Sequence, residues 1–154
     1  MSPPSKPWQR LKDLAESRRD ASGRSLAAAT AQRDGAQNRL SMLLDYRREY
    51  ENRLNRASEE GIDAERLRNY RRFLAQLDQA IEQQTSQAAD AQSSVDEARE
   101  AWQGLHREVQ SYDALKQRAA QAQARHERRV EQKQLDEHVA SRARHAPPPK
   151  PKES

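Results

Sequence analysis

The stretch SEEGIDAERL, residues 58–67, divides the sequence into two long segments with helical character. Gly61 can adopt the left-handed conformation that ends a helix, and Asp63 is a strong N-cap for the next one. Ile62 precedes that N-cap and can pack on Leu67 in the first turn, as in a hydrophobic staple. We therefore predict a tight turn between two helices.

The segment after the turn carries a regular nonpolar pattern. Steps that alternate between three and four residues meet a nonpolar or aromatic side chain at every position except Gln84. A repeat that averages 3.5 residues over more than six heptads is typical of a helix that supercoils with a partner helix. The positions are Leu67, Tyr70, Leu74, Leu77, Ile81, Gln84, Ala88, Ala91, Val95, Ala98, Trp102, Leu105, Val109 and Tyr112.

The segment before the turn is the nearest partner helix. Pro7 suits a first helical turn, and no proline occurs between Trp8 and Glu60. A short turn folds two helices antiparallel, so residues whose numbers add up to about 123 should lie side by side. Tyr50 should then face Phe73. Gln84, a polar residue in the seam, can help to set the register.

The predicted fold is all-α, a long antiparallel coiled-coil hairpin of two helices in which the second helix projects beyond the first. The overhang should begin at about residue 116, where the first helix has no further residues to pair with it. The N-terminus and the basic, proline-rich tail should be disordered. The predicted boundaries are disorder at 1–6, helix at 7–60, turn at 61–63, helix at 64–145 and disorder at 146–154.

Charge and composition limit the classes of function. The chain has 154 residues, 34% charged and 34% hydrophobic, which is too little nonpolar material for an ordinary compact core. Residues 1–112 hold 18 basic and 18 acidic side chains, whereas residues 113–154 hold 10 and 6. The positive tail would hold a phosphate backbone only weakly, so we expect no specific nucleic-acid binding.

Catalytic chemistry is not expected. The sequence has no cysteine and no glycine-rich phosphate loop, and its four histidines are scattered and should be solvated. A slender pair of helices offers no cavity that could desolvate a carboxylate and shift its pKa for catalysis. We therefore expect no enzyme activity, no cofactor and no metal. No signal peptide or membrane span is evident either, so we expect a cytoplasmic protein without direct membrane insertion.

Nonpolar side chains near the turn exceed what the helix contact needs. Phe73 lies beside the predicted seam, so one partner helix covers only part of its ring. One interpretation is a wider stretch of seam; the other is an exposed docking patch, with Phe73 as the ring that a partner can reach. The patch would comprise Leu43, Tyr46, Tyr50, Phe73, Leu77 and Ala80.

Several stretches resemble the FliJ family, soluble components of the bacterial flagellar type III export apparatus. They are LKDLA (11–15), RLSMLLDYRREYENRL (39–54), NYRRFLAQLDQAIEQQ (69–84), Trp102 and ERRVEQKQLDE (127–137). The resemblance covers about residues 8–140. It implies a coiled-coil hairpin similar in shape to the stalk of rotary ATPases, which acts as a non-enzymatic stalk, adaptor and general chaperone of export.

The resemblance also implies partners, namely the export ATPase ring, the cytoplasmic part of the membrane export gate and other export chaperones. The gate would bind the patch near the bend, although Arg39 and Gln84 at its ends differ from the usual family residues. The protein would then lie peripherally at the inner face of the cell membrane, at the flagellar base. By analogy with a rotary stalk, the ATPase ring would meet the free helix ends through Leu11, Leu14, Ala15, Val130 and Leu135.

Two other functions fit the same sequence. In a structural, self-associating coiled-coil tether, the patch would be an interface between copies. In a helical protein that binds nucleic acid weakly through its tail, binding would depend steeply on salt.

Overall fold

The computed structural model describes residues 7–145, 148–149 and 151. It contains two helices, α1 over Pro7–Glu60 and α2 over Ala64–His145, and no strand within the described residues. The predicted all-α class and the helical hairpin are therefore confirmed. The predicted disorder of residues 1–6 and of most of the tail lies outside the described residues.

Backbone and side-chain groups of the turn end one helix and begin the next. Gly61 has a φ of 93°, a left-handed conformation that is costly for a residue with a side chain. Its amide donates to the Ser58 carbonyl over 3.3 Å. The Asp63 carboxylate accepts a hydrogen bond of 2.9 Å from the Arg66 amide, so it satisfies one of the free N–H groups at the start of α2.

Side-chain contacts within residues 1–109, the first of two compact units of the chain, show that the helices run antiparallel. Close to the bend, the rings of Tyr50 and Phe73 lie 4.2 Å apart between centroids, which confirms that predicted pair. Further from the bend, Trp102 Nε1 lies 3.4 Å from the point where a Cβ of Gly23 would stand. Partners that are more distant in sequence thus lie further from the turn, as in a hairpin.

Gln84 links the two helices through a buried hydrogen bond. Its side chain is 9% exposed, and its Nε2 donates to the carbonyl oxygen of Ala36 over 3.0 Å. Helix carbonyls point toward the C-terminus of their own helix, so this oxygen lies close to the level of Arg39, the predicted neighbour. A polar group that must meet one backbone carbonyl disfavours other alignments of the helices.

Small and β-branched side chains fill the contact between the helices. Val95 and Val109 are 0% and 2% exposed on α2, and Ala15 and Ala36 are 2% and 3% exposed on α1. Small side chains allow helix axes to approach closely. The buried residues of α2 all lie on the predicted 3.5-residue pattern, and they are Leu77, Gln84, Ala88, Val95 and Val109.

Basic residues share the inner face of α1 with leucines. The side chains of Lys12, Arg19, Arg33 and Arg47 are 14%, 26%, 22% and 35% exposed, and multiples of seven residues separate them. Each forms an ion pair with a carboxylate at the edge of the contact. Their aliphatic stems cover the seam while the charged groups reach solvent, so the nonpolar pattern of α1 is patchy in the sequence.

The second compact unit, residues 110–154, contains the C-terminal part of α2. Every side chain of residues 113–145 is exposed. Local hydrogen bonds support this helix, from Gln123 to Glu127 over 3.2 Å and from Gln132 to Asp136 over 3.0 Å. Its exposed large nonpolar side chains are Leu115, Val130, Leu135 and Val139.

Replacing Asp63 with alanine should lower the free energy of unfolding by about 1 kcal/mol, because the Arg66 amide loses its side-chain acceptor. Urea unfolding followed by far-ultraviolet circular dichroism measures the change. Arg68→Ala, which truncates an exposed side chain nearby, is the control and should change the value by less than about 0.5 kcal/mol. Equal effects of the two substitutions would show that the cap does not stabilise the turn.

Replacing Gln84 with leucine should raise the free energy of unfolding by about 1 kcal/mol. Leucine buries more nonpolar surface, and the Ala36 carbonyl keeps its helical hydrogen bond. The same unfolding experiment tests this, with Gln83→Leu at an exposed neighbouring position as the control. A loss of stability would show instead that the hydrogen bond of Gln84 contributes more than the burial of a leucine.

Candidate docking surface

Four aromatic rings form a continuous cluster beside the bend. This aromatic cluster consists of Tyr46, Tyr50, Tyr70 and Phe73. Tyr50 lies at its centre, with ring centroids 5.9 Å from Tyr46, 5.7 Å from Tyr70 and 4.2 Å from Phe73. Phe73 also meets Tyr46 edge-on at 6.2 Å. Three of these separations lie within the range of about 4.5–7 Å that is usual for favourable aromatic pairs, and Tyr50 and Phe73 are closer still. Rings from both helices therefore hold one another in place.

The rings of the cluster differ in exposure. Tyr46, at 49% exposed, is the ring that a partner can reach most easily. Phe73, expected to be partly covered and available to a partner, is partly exposed, with Tyr46 and Tyr50 beside it. Leu77 is 7% exposed and packs in the contact between the helices. It is therefore not accessible to a partner, although it was predicted to belong to the patch. Leu43 and Ala80 are partly exposed.

The opposite side of the hairpin carries charge at the same level. The Arg47 guanidinium bonds Asp78 across the helices and Glu51 one turn further along α1, the latter over 3.1 Å. The hydrogen bond to Asp78 raises the pKa of Arg47 above its ordinary value. We call the side with Tyr46 and Phe73 the aromatic flank and the side with the Arg47–Asp78 pair the charged flank.

Two open depressions lie on the aromatic flank, one on each side of the exposed ring. The first, of about 200 Å³, is next to the bend and is lined by Tyr50, Arg66, Asn69 and Tyr70. The second, of about 520 Å³, is lined by Ala31, Gln32, Gly35, Ala36, Arg39, Gln87 and Ala91. Arg66 precedes Phe73 by one heptad and Arg39 precedes Tyr46 by one heptad, which places both arginines on this flank.

The residues expected to contact an ATPase ring differ in accessibility. In the first unit, Leu11 and Leu14 are 51% and 50% exposed, whereas Ala15 is 2% exposed. Ala15 is therefore buried and is not accessible to another protein. In the second unit, Val130 and Leu135 are 41% and 59% exposed.

His106 corrects the expectation that all four histidines are solvated. Its ring stacks on Trp102, with centroids 4.8 Å apart and planes 8° apart. Its Nδ1 is buried and has no hydrogen-bond partner. The four-residue spacing from Trp102 was the available signal in the sequence, since residues at that spacing share a helix face. The other three histidines are exposed.

No cluster of metal-ligating side chains occurs among the residues that the structure describes. Within the same residues, neither helix has a stretch long and nonpolar enough to cross a membrane.

Comparisons with a family model and with individual proteins point to the same family. A family model described as "Flagellar FliJ protein" matches residues 5–147. The chain is similar to proteins of that name from Salmonella typhi and from Escherichia coli (strain K12). Each is 34% identical over 137 residues, which cover 89% of this chain and 93% of the relative.

Tyr50→Ala should lower the free energy of unfolding by about 2 kcal/mol, and Tyr46→Ala by about 1 kcal/mol. Tyr50 contacts three rings and is more buried, so its loss removes more aromatic contacts and leaves more empty volume. Urea unfolding of the two variants beside the unsubstituted chain measures the order. If Tyr46→Ala were the more destabilising change, Tyr46 rather than Tyr50 would hold the cluster together.

Proposed function

Because the chain belongs to the flagellar FliJ protein family, we propose that it is a stalk and adaptor of the flagellar type III export apparatus. In this role it binds the export ATPase ring and links the ring to the cytoplasmic part of the membrane export gate. It works without catalysis and also acts as a general chaperone. Its place is the cytoplasm, held by the gate at the inner face of the cell membrane.

The aromatic flank is the observation that carries the gate assignment. Tyr46 is half exposed, and the neighbouring rings of Tyr50 and Phe73 hold it in position. Aromatic side chains with a fixed conformation make strong contacts because little side-chain entropy is lost on binding. The charged flank offers solvated ion pairs in place of such anchors, which favours binding on one side of the hairpin.

The proposed ATPase contact uses exposed nonpolar side chains near the start of α1 and in the second unit. Leu11 and Leu14 project about half of their surface from α1, and with Pro7 and Arg10 they line an open depression of about 470 Å³. Val130 and Leu135 offer nonpolar contacts in the second unit. Isolated leucines and valines among charged residues form modest contacts that several ring subunits can share in turn.

Tyr46→Ala should weaken binding to the purified cytoplasmic part of the export gate by about tenfold or more, because the most exposed anchor of the aromatic flank is lost. Pull-down and isothermal titration calorimetry measure the loss. The matched control is Leu44→Ala, two residues away. Leu44 is 43% exposed and precedes Glu51 by one heptad, so it lies on the charged flank.

The control variant should bind the gate with unchanged affinity, and both variants should bind the purified export ATPase as the unsubstituted chain does. Circular dichroism shows that each variant is folded at the temperature used. If the gate binds Tyr46→Ala as tightly as it binds the unsubstituted chain, the aromatic flank is not its docking surface. If the unsubstituted chain binds neither protein, the proposed function is wrong.

A further inference from the structure

The depressions at the two ends of the aromatic flank share one feature. Each is lined by a single charged residue, Arg66 near the bend and Arg39 at the other end, and no carboxylate lines either of them. At the second site, the Arg39 Nη1 lies 3.5 Å from the point where a Cβ of Gly35 would stand. The guanidinium therefore lies close to the backbone of α1 beside Gly35.

These two arginines line the depressions and have no ionic partner. Among the described residues, Arg68 and Arg71 near the bend also lack an ion pair, but they line neither depression. Neither has a carboxylate oxygen within 4.0 Å among the described residues. Arg47, Arg48 and Arg53 near the same bend each form an ion pair, the last with Glu49 over 2.8 Å. The guanidinium groups of Arg39 and Arg66 are therefore free to bind carboxylates of another molecule, often in the strong bidentate geometry.

The surface between the two arginines is nonpolar except at Arg53, whose guanidinium lies 5.7 Å from the centroid of the Tyr50 ring and is already paired with Glu49. The exposed ring of Tyr46 lies there, with Leu43, Phe73 and Ala80 partly exposed around it. Arg39 lies near the level of Gln84, so the arginines are separated along α2 by about 27 Å at 1.5 Å per residue. A segment that covers the flank from end to end would meet an unpaired positive charge at each end, and between them a nonpolar strip that the Arg53–Glu49 ion pair borders.

We propose that the partner segment docked on this flank is nonpolar in its middle and carries a carboxylate near each end, one bound by Arg39 and the other by Arg66. This inference rests on the proposed function, since that segment belongs to the cytoplasmic part of the export gate. The rings supply most of the binding energy. The two arginines set the position and direction of the segment along the hairpin.

Charge also argues against a second copy of this chain as the occupant. Two copies that met through their aromatic flanks would bring Arg39 and Arg66 of each into an interface where neither depression offers a carboxylate. Placing like charges together in an interface is unfavourable. An acidic partner meets the same surface with complementary charge.

The test compares three versions of the full chain against the purified cytoplasmic part of the export gate, by isothermal titration calorimetry at low and high salt. They are the unsubstituted chain, the double variant Arg39→Gln, Arg66→Gln, and the control Arg68→Gln, Arg71→Gln. The control removes the same charge from exposed arginines at helical spacing before Asp78, on the charged flank. All four substituted side chains are exposed, so both double variants should fold.

The Arg39, Arg66 variant should lose about tenfold in affinity at low salt, and its affinity should depend less on salt, because two charge-assisted contacts are gone. The control should stay within about twofold of the unsubstituted chain. Tyr46→Ala, measured beside them, should lose affinity at both salt concentrations, since nonpolar contacts are little screened.

Three outcomes would overturn the inference. If the Arg39, Arg66 variant binds the gate like the control while Tyr46→Ala binds weakly, the arginines do not bind carboxylates of the partner. The proposed function would still stand. If the unsubstituted chain does not bind the gate, both proposals fail. If sedimentation shows that the unsubstituted chain self-associates and that Tyr46→Ala abolishes this, the flank is an interface between copies.

Discussion

The two helices of the hairpin meet along a single narrow line, and the rest of the structure depends on their alignment along it. An ordinary core fixes each side chain from several directions, whereas two helices could slide by a heptad and still bury nonpolar groups. Two features oppose that slippage. The turn holds the bend between Gly61 and Asp63, and Gln84 must reach the Ala36 carbonyl. In this register the side chains beside the seam form two different flanks.

The two flanks differ in chemistry, so the two sides of the hairpin near the bend are not equivalent. At one level of the hairpin, Arg47 bonds Asp78 on one side, while Tyr46, Tyr50 and Phe73 gather on the other. The ion pair keeps its side solvated, because opposing charges on a helix pair remain in water at little cost. The rings make the other side nonpolar, although the surrounding surface is rich in charge. A partner that binds through nonpolar contacts can therefore distinguish the two sides.

Much of this arrangement could be predicted from the residues alone, and the exceptions have physical reasons. The 3.5-residue pattern from Leu67 to Tyr112 predicted the buried positions of α2 correctly, because packing of one helix on another follows that period. The inward-facing positions of α1 were harder to predict, since the aliphatic stems of arginine and lysine take the place of leucines there. Ala15 was expected at a partner surface and is buried. An alanine has the same nonpolar character in either place, so its type cannot distinguish them.

The sequence by itself determined the class of fold, the position of the turn and the face of α2 that packs inward, because helix caps and heptad spacing act locally along the chain. Only the tertiary structure decided which ring of the cluster is exposed. Phe73 and Tyr46 both lie beside the seam, and their exposure depends on how rings from two helices cover one another across a gap that no local pattern records. The same holds for Trp102 and His106, whose stacking shields one imidazole nitrogen. It also holds for Arg39 and Arg66, whose lack of a carboxylate partner can be seen only when both helices are in place.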